Sequence, residues 1–291
     1  MSSQPQASPP RNEQRRARVQ AMSLTAWDLA RNQFHEHADP RARIMTLRTH
    51  ERLRTLAEAE LGVAKHKRTF LKVGQEGQPG VLLVHGTDQT PAHMVPLARV
   101  MHEAGLTVHG LLLADYGHGV TGGPEARWRA TLQQVRHGHR LLADSCRDVY
   151  VLGSGFGAAL ALHLASRERV AGLVLIAPAI VPRVDLKIRL LRSLGLLRVP
   201  QVRRRMGLRV DVLEGMQAAQ DLIPRVDVPM FGVMCDDDDR VSPEALRILQ
   251  KRARHPRCRF QIFPEGGHDV LAAHGSASLD QDIIDFIRAR D

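Results

Sequence analysis

No apolar run in this 291-residue chain approaches the roughly 18–20 residues that a bilayer-spanning helix needs. The opening residues, MSSQPQASPPRNEQRRARVQ, also lack the apolar core of a secretory signal, so a cytoplasmic location is the expectation. Cysteine is scarce. Cys146, Cys235 and Cys258 are odd in number, widely spaced and without C-x-x-C pairing, which points to reduced thiols and implies no metal site. Aromatic residues make up only 4%, too few to supply stacking platforms for single-stranded nucleic acid. Helix-turn-helix and zinc-finger spacings are missing too, so no nucleic-acid partner is expected. Acids are thin in two segments. Residues 1–72 hold 14 Lys/Arg against 7 Asp/Glu, and residues 183–209 hold 9 against the single acid Asp185. The remainder of this chain of net charge +10 is mildly acidic, 18 against 23, so the excess charge belongs to two basic segments and not to a basic domain.

What is present suffices for one large core, with 43% hydrophobic residues and no internal repeat. Residues 1–11 are rich in Pro, Ser and Gln and read as a disordered tail. Residues 12–66 read as a helical N-terminal extension. Its first part carries Val19, Met22, Ala26, Ala30 and Phe34 at helical spacing. Its second part restarts a helix with Asp39 as cap, Pro40 in the first turn and Gly62 as the stop. From Lys67 the pattern changes. RTFLKV, GVLLVHG, LTVHGLLLA, DVYVLG, VAGLVLIAP, VPMFGVMC and RCRFQIF are short apolar runs separated by amphipathic stretches. Strands buried on both faces look continuous like this, and the alternation implies a mainly parallel sheet flanked by helices over residues 67–291.

Chemistry-bearing residues collect where these strands end. VLLVHGTDQT ends a strand in His85–Gly86–Thr87, and VYVLGSGFGAALAL runs from a strand through a glycine turn into a helix. VPMFGVMCDDDDRVSPEAL leads into an acidic loop, and FQIFPEGGHDVL closes with His268 in a glycine-rich turn. In this order the motifs resemble the α/β-hydrolase superfamily, and within it most closely the small carboxylesterases, monoacylglycerol lipases and serine-aminopeptidase-like lysophospholipases. The resemblance implies the α/β-hydrolase fold, with Asp238 as the acid (Asp239 being the close alternative) and His268 as the general base. It also implies Gly153 and Gly157 as the flanking glycines of the turn, and the amides of Thr87 and Phe156 as the oxyanion hole. His85 and His118 are expected to shape loops. No cofactor and no metal are implied.

The sequence departs from the family at one position. The residue between Gly153 and Gly157 that the family fills with serine is Gly155. Ser154 is one place early; with it as centre the flanking residues would be Leu152 and Phe156, too large for the turn. The family places a lid after LVLIAPAI, here about residues 180–226, in which Ile188, Leu191 and Leu194 alternate with Lys187, Arg189 and Arg192. Such a helix covers an acyl pocket or lies on an anionic membrane surface through residues 183–209. Three functions stay open: a weak or inactive hydrolase-like module binding a small acyl or lipid-like ligand; an ester hydrolase using water activated by the Asp–His pair, or one whose serine was removed to trap a ligand; and a membrane- or partner-docking protein. Oligomeric state is not legible.

Overall fold

The computed structural model describes residues 39–113, 128–181, 183, 210–274 and 277–289. The expected helix before Asp39, His118, and the basic lid stretch with Lys187, Ile188, Arg189, Leu191, Arg192 and Leu194 lie outside these residues.

All seven apolar runs form strands: β1 (Phe70–Lys72), β2 (Gly80–Val84), β3 (Thr107–Leu111), β4 (Val149–Ser154), β5 (Gly172–Ile176), β6 (Met230–Cys235) and β7 (Arg259–Phe263). They make one sheet in the order β1-β3-β2-β4-β5-β6-β7, with β1 antiparallel to β3 and every other pair parallel. β2 to β6 are buried at every residue, as a parallel sheet covered on both faces requires. β7 is the edge, and there Arg259, Gln261 and Ile262 reach solvent without a burial penalty.

The period-2 alternation splits the core in two. Leu82, Val84, Val151, Leu173 and Leu175 point to one layer, with Leu132, Val135, Ala158 and Leu162. Val81, Leu83, Leu152, Val174 and Val233 point to the other, with Leu97, Met101, Ile283 and Phe286. Each such Val, Leu, Ile, Met or Phe side chain, taken from water, stabilises the fold by about 1.5–3 kcal/mol. No helix among the described residues is long and apolar enough to cross a membrane.

Ahead of the sheet, α1 (Pro40–Glu60) starts where Asp39 Oδ1 accepts the Arg41 amide at 2.9 Å and stops before Gly62, whose φ is +79°. A buried network fastens it. The Glu58 carboxylate accepts the Thr69 amide at 2.7 Å, the Thr69 hydroxyl at 2.5 Å and Arg54 Nε at 3.1 Å. Arg54 Nη2 also donates to the Leu112 carbonyl at 2.7 Å, joining the helix to both β1 and the end of β3.

Candidate active site

In open parallel sheets, ligands bind beyond the carboxyl ends of the strands. Four such ends converge here. β4 runs through Gly155 into α4, which in chain order follows α2 (Val95–Glu103) and α3 (Trp128–Ala143) and spans Phe156–Ala165. The turn is sharp. Gly155 has φ +55° and ψ −121°, a conformation that side chains other than glycine adopt only under strain. Its amide donates to the Ile176 carbonyl at 2.9 Å, and its carbonyl accepts the Ala158 and Ala179 amides at 3.1 and 3.0 Å.

Close approach explains the flanking glycines. A Cβ on Gly153 would lie 2.4 Å from the Gly157 carbonyl oxygen and 2.5 Å from Ala158 Cα. A Cβ on Gly157 would lie 2.0 Å from the Val84 carbonyl oxygen. Strand-to-helix contact therefore admits no side chain at either residue. Gly155 differs: a Cβ there would stand 3.4 Å from His268 Nε2, 3.6 Å from Gly86 Cα and 3.8 Å from His268 Cε1, all ordinary contacts. The space above the turn faces the histidine.

His268 is held from behind. Its Nδ1 lies 2.8 Å from Asp238 Oδ2, and the Asp238 side chain is fully buried while the imidazole is 18% exposed. Oδ1 of the same carboxylate accepts the Arg240 and Val241 amides at 2.8 and 2.9 Å. Burial pushes the Asp238 carboxyl up, but the His268 hydrogen bond and the two amides outweigh it and hold it below its ordinary value. An ionised acceptor at Nδ1 fixes the proton there and leaves Nε2 as the basic nitrogen, aimed at the turn.

The run of four aspartates divides its tasks. Asp238 holds the imidazole, whereas Asp239 is exposed to solvent. Asp237 accepts the Gly266 and Gly267 amides at 3.1 and 2.8 Å, tying the acidic loop to the histidine loop. The Asp236 amide donates to Phe263 at 2.8 Å. Sequence reasoning missed the part played by Asp237. It also missed Arg183, whose guanidinium donates to the Asp238 carbonyl and whose amide donates to Arg240 at 3.0 Å. Nothing in the sequence near Arg183 marks it; only the folded chain brings it to the acid.

The remaining expected residues lie around the same turn. His85 is buried, with Nδ1 2.7 Å from the Gly86 carbonyl and Nε2 accepting the Leu113 amide at 2.9 Å. Burial pushes its imidazole down to about 4, so it is a neutral loop brace. Thr87 follows Gly86, the glycine that approaches Gly155, and Phe156 opens α4. Ser154 is buried at the end of β4, and strand alternation puts it on the face of Tyr150 and Leu152, one residue short of the turn. Cys235 lies under the histidine loop, but burial and then the charges of Asp237 and Asp238 push its thiol up to about 11. It offers no thiolate at neutral pH. Among the described residues no group of three or more His, Cys, Asp or Glu is placed to hold a metal ion.

Comparison with known proteins bears on the fold. Residues 81–223 match the model of an alpha/beta hydrolase family. A structure of metagenome-derived lipolytic enzymes, LipS and LipT, superposes with a TM-score of 0.67 at 19% identity, covering 78% of this chain and 99% of that one. The chain has the α/β-hydrolase fold. The monoacylglycerol lipase of Paleococcus ferrophilus matches this domain with a TM-score of 0.59 at 16% identity, over 75% of this chain and 97% of that one. At such identities the structures speak for the fold. In sequence, the thermostable monoacylglycerol lipase of Bacillus sp. (strain H-257) is 33% identical over 107 residues, 36% of this chain. The matched stretch spans 43% of that relative, less than half its length.

Proposed function

We propose that this α/β-hydrolase domain is of the esterase or lipase type, with Gly155 at the nucleophile position, and that it binds a small acyl, ester or lipid-like ligand with slow or no turnover. One observation carries the reading: a Cβ on Gly155 would stand 3.4 Å from His268 Nε2, whose Nδ1 is paired with the buried Asp238. In G-x-S-x-G hydrolases the serine sits on a strained strand-to-helix turn, its hydroxyl within reach of the histidine. A hydroxyl on that Cβ reaches Nε2 at a hydrogen-bond distance of about 2.8 Å. It would pass its proton to Nε2 on attacking an acyl carbon, Asp238 would stabilise the imidazolium, and the Thr87 and Phe156 amides would receive the oxyanion.

With glycine in place the attack has no nucleophilic oxygen. Loss of a triad serine costs on the order of a millionfold in turnover. The Asp238–His268 pair keeps the capacity to draw a proton from water, worth about 10²–10⁴-fold, which leaves slow hydrolysis of activated esters as its ceiling. Hydrolysis of p-nitrophenyl acetate and butyrate by the protein and by Gly155→Ser tests the reading. The expected result is near-background rates for the protein and an increase of a thousandfold or more in the variant. Unaltered protein turning over at about 1–10³ s⁻¹, as ordinary enzymes do, would overturn it.

A further inference from the structure

Helix α1 is inverted relative to an ordinary surface helix, which buries an apolar stripe and shows solvent a polar one. Its buried side chains are Leu47, His50 and Glu58, and Arg54 lies partly buried beside Glu58. Met45, Leu53 and Leu56 instead face solvent, 60%, 46% and 56% exposed. Among the described residues the other large apolar side chain so exposed is Ile262 on β7. Single exposed leucines are ordinary, but three such side chains on one helix form a patch.

The patch has a charged border. At about 100° per residue, Met45, Thr49, Leu53 and Leu56 fall within a sector of about 80°. Arg41, Arg48 and Arg52 fill the adjoining sector, about 40° wide. All three arginines are exposed, and among the described residues none meets a carboxylate. The Thr49 hydroxyl donates to the Met45 carbonyl at 2.8 Å, so the apolar strip asks for no polar partner. Of the acids on α1, Glu58 is buried, Glu51 is half-buried, and only Glu60, in the last turn, is exposed. The helix cannot roll to hide the strip. Its other side is fixed by Glu58 on Thr69 and by Arg54 on the Leu112 carbonyl.

We infer that α1 docks the protein on an anionic phospholipid surface, with Met45, Leu53 and Leu56 in the acyl boundary and Arg41, Arg48 and Arg52 on headgroup phosphates. An apolar strip beside a row of arginines matches the two layers of such an interface. Lipid also moulds to a convex helix, whereas a protein partner would have to bring a groove of its own. This surface involves neither Gly155 nor residues 183–209. It is tied to the candidate site all the same: Leu113, next to the carbonyl that Arg54 holds, donates its amide to His85.

The test is flotation of the full chain with phosphatidylcholine vesicles, with and without phosphatidylserine. Binding is expected where phosphatidylserine is present. Arg41→Gln/Arg48→Gln/Arg52→Gln should weaken it about a hundredfold, at about fivefold for each arginine. Leu53→Gln/Leu56→Gln should weaken it about tenfold or more, since each side chain has about half its surface left to bury. Both losses should persist when Lys187→Gln, Arg189→Gln and Arg192→Gln are added. Emission of Leu53→Trp should shift to the blue on these vesicles, and that of Gln261→Trp, on β7, should not. A parent protein that stays off phosphatidylserine vesicles would overturn the inference and assign the patch to a protein partner or to another segment of the chain. So would α1 variants that bind as the parent does, or a Leu53→Trp emission that vesicles leave unchanged.

Discussion

Replacing each of the turn glycines with alanine separates two kinds of constraint. At Gly157 the new methyl would stand 2.0 Å from the Val84 carbonyl oxygen, 2.7 Å from Val84 C and 2.8 Å from the His85 carbonyl oxygen. All three are backbone, so no flexible side chain can yield; β2 and α4 must separate. Overpacking a core commonly costs about 1–3 kcal/mol, and a clash with rigid backbone belongs at or above the top of that range. For a domain of this size each kcal/mol lowers the melting midpoint by about 2–4 °C, so Gly157→Ala should lose about 6–12 °C or fail to fold. At Gly155 the methyl meets nothing nearer than 3.4 Å. Only the strain of φ +55° remains, about 1–3 kcal/mol, against a typical stability of about 5–15 kcal/mol. Gly155→Ala should therefore fold, with a midpoint lower by about 2–12 °C and above that of Gly157→Ala. Differential scanning calorimetry of the two variants beside the parent decides the matter. A Gly155→Ala protein as damaged as Gly157→Ala would refute the reasoning, because it would mean that the position facing His268 has no room for a side chain.

Acid stability should show two signatures. Burial pushes His109 down to about 3 and His137 to about 3, so their unfolded forms bind protons that the folded forms do not; stability then falls as pH drops from about 6.5 toward 3. His109→Leu removes a ring with both nitrogens buried and unpartnered and should flatten that limb in urea melts, whereas an unchanged slope would count against it. Asp238, held below its ordinary value, contributes stability present above about pH 4 and lost as pH falls through its folded value, so Asp238→Asn should shrink the pH dependence in that lower window. Asp237→Asn weakens acceptance of the Gly266 and Gly267 amides and should speed their hydrogen exchange while leaving the β6 amides protected; equal rates in parent and variant would show that the tie is idle. The basic residues 183–209 are proposed to favour an anionic membrane surface, and vesicles containing phosphatidylserine should bind the protein at low salt and release it at high salt, with salt-independent or absent binding counting against this.

Much of the fold was legible because the strands are buried on both faces and so read as short continuous apolar runs. Even the edge strand RCRFQIF was found, although its Arg259 and Gln261 face solvent. Gly153 and Gly157 were legible because close backbone approach leaves a fixed spacing in the sequence. The choice between Asp238 and Asp239 was not. Four adjacent aspartates carry the same local signal, and only the turn that delivers the Arg240 and Val241 amides to Asp238 Oδ1 aims its other oxygen at His268. Asp237 joins the loops after β6 and β7, and Arg183 joins the stretch after β5 to the loop after β6, contacts that leave no periodicity to read.

The central claim is that Gly155 stands where a nucleophile would, in front of a histidine and acid still arranged to activate it. Labelling with a fluorophosphonate, read by intact mass and peptide mapping, tests it most directly. The unaltered protein should gain no mass, and Gly155→Ser should gain one phosphonyl group, mapped to position 155 and lost when His268→Ala is added. Labelling of the unaltered protein at Ser154, or a folded Gly155→Ser variant that stays unlabelled, would contradict the account.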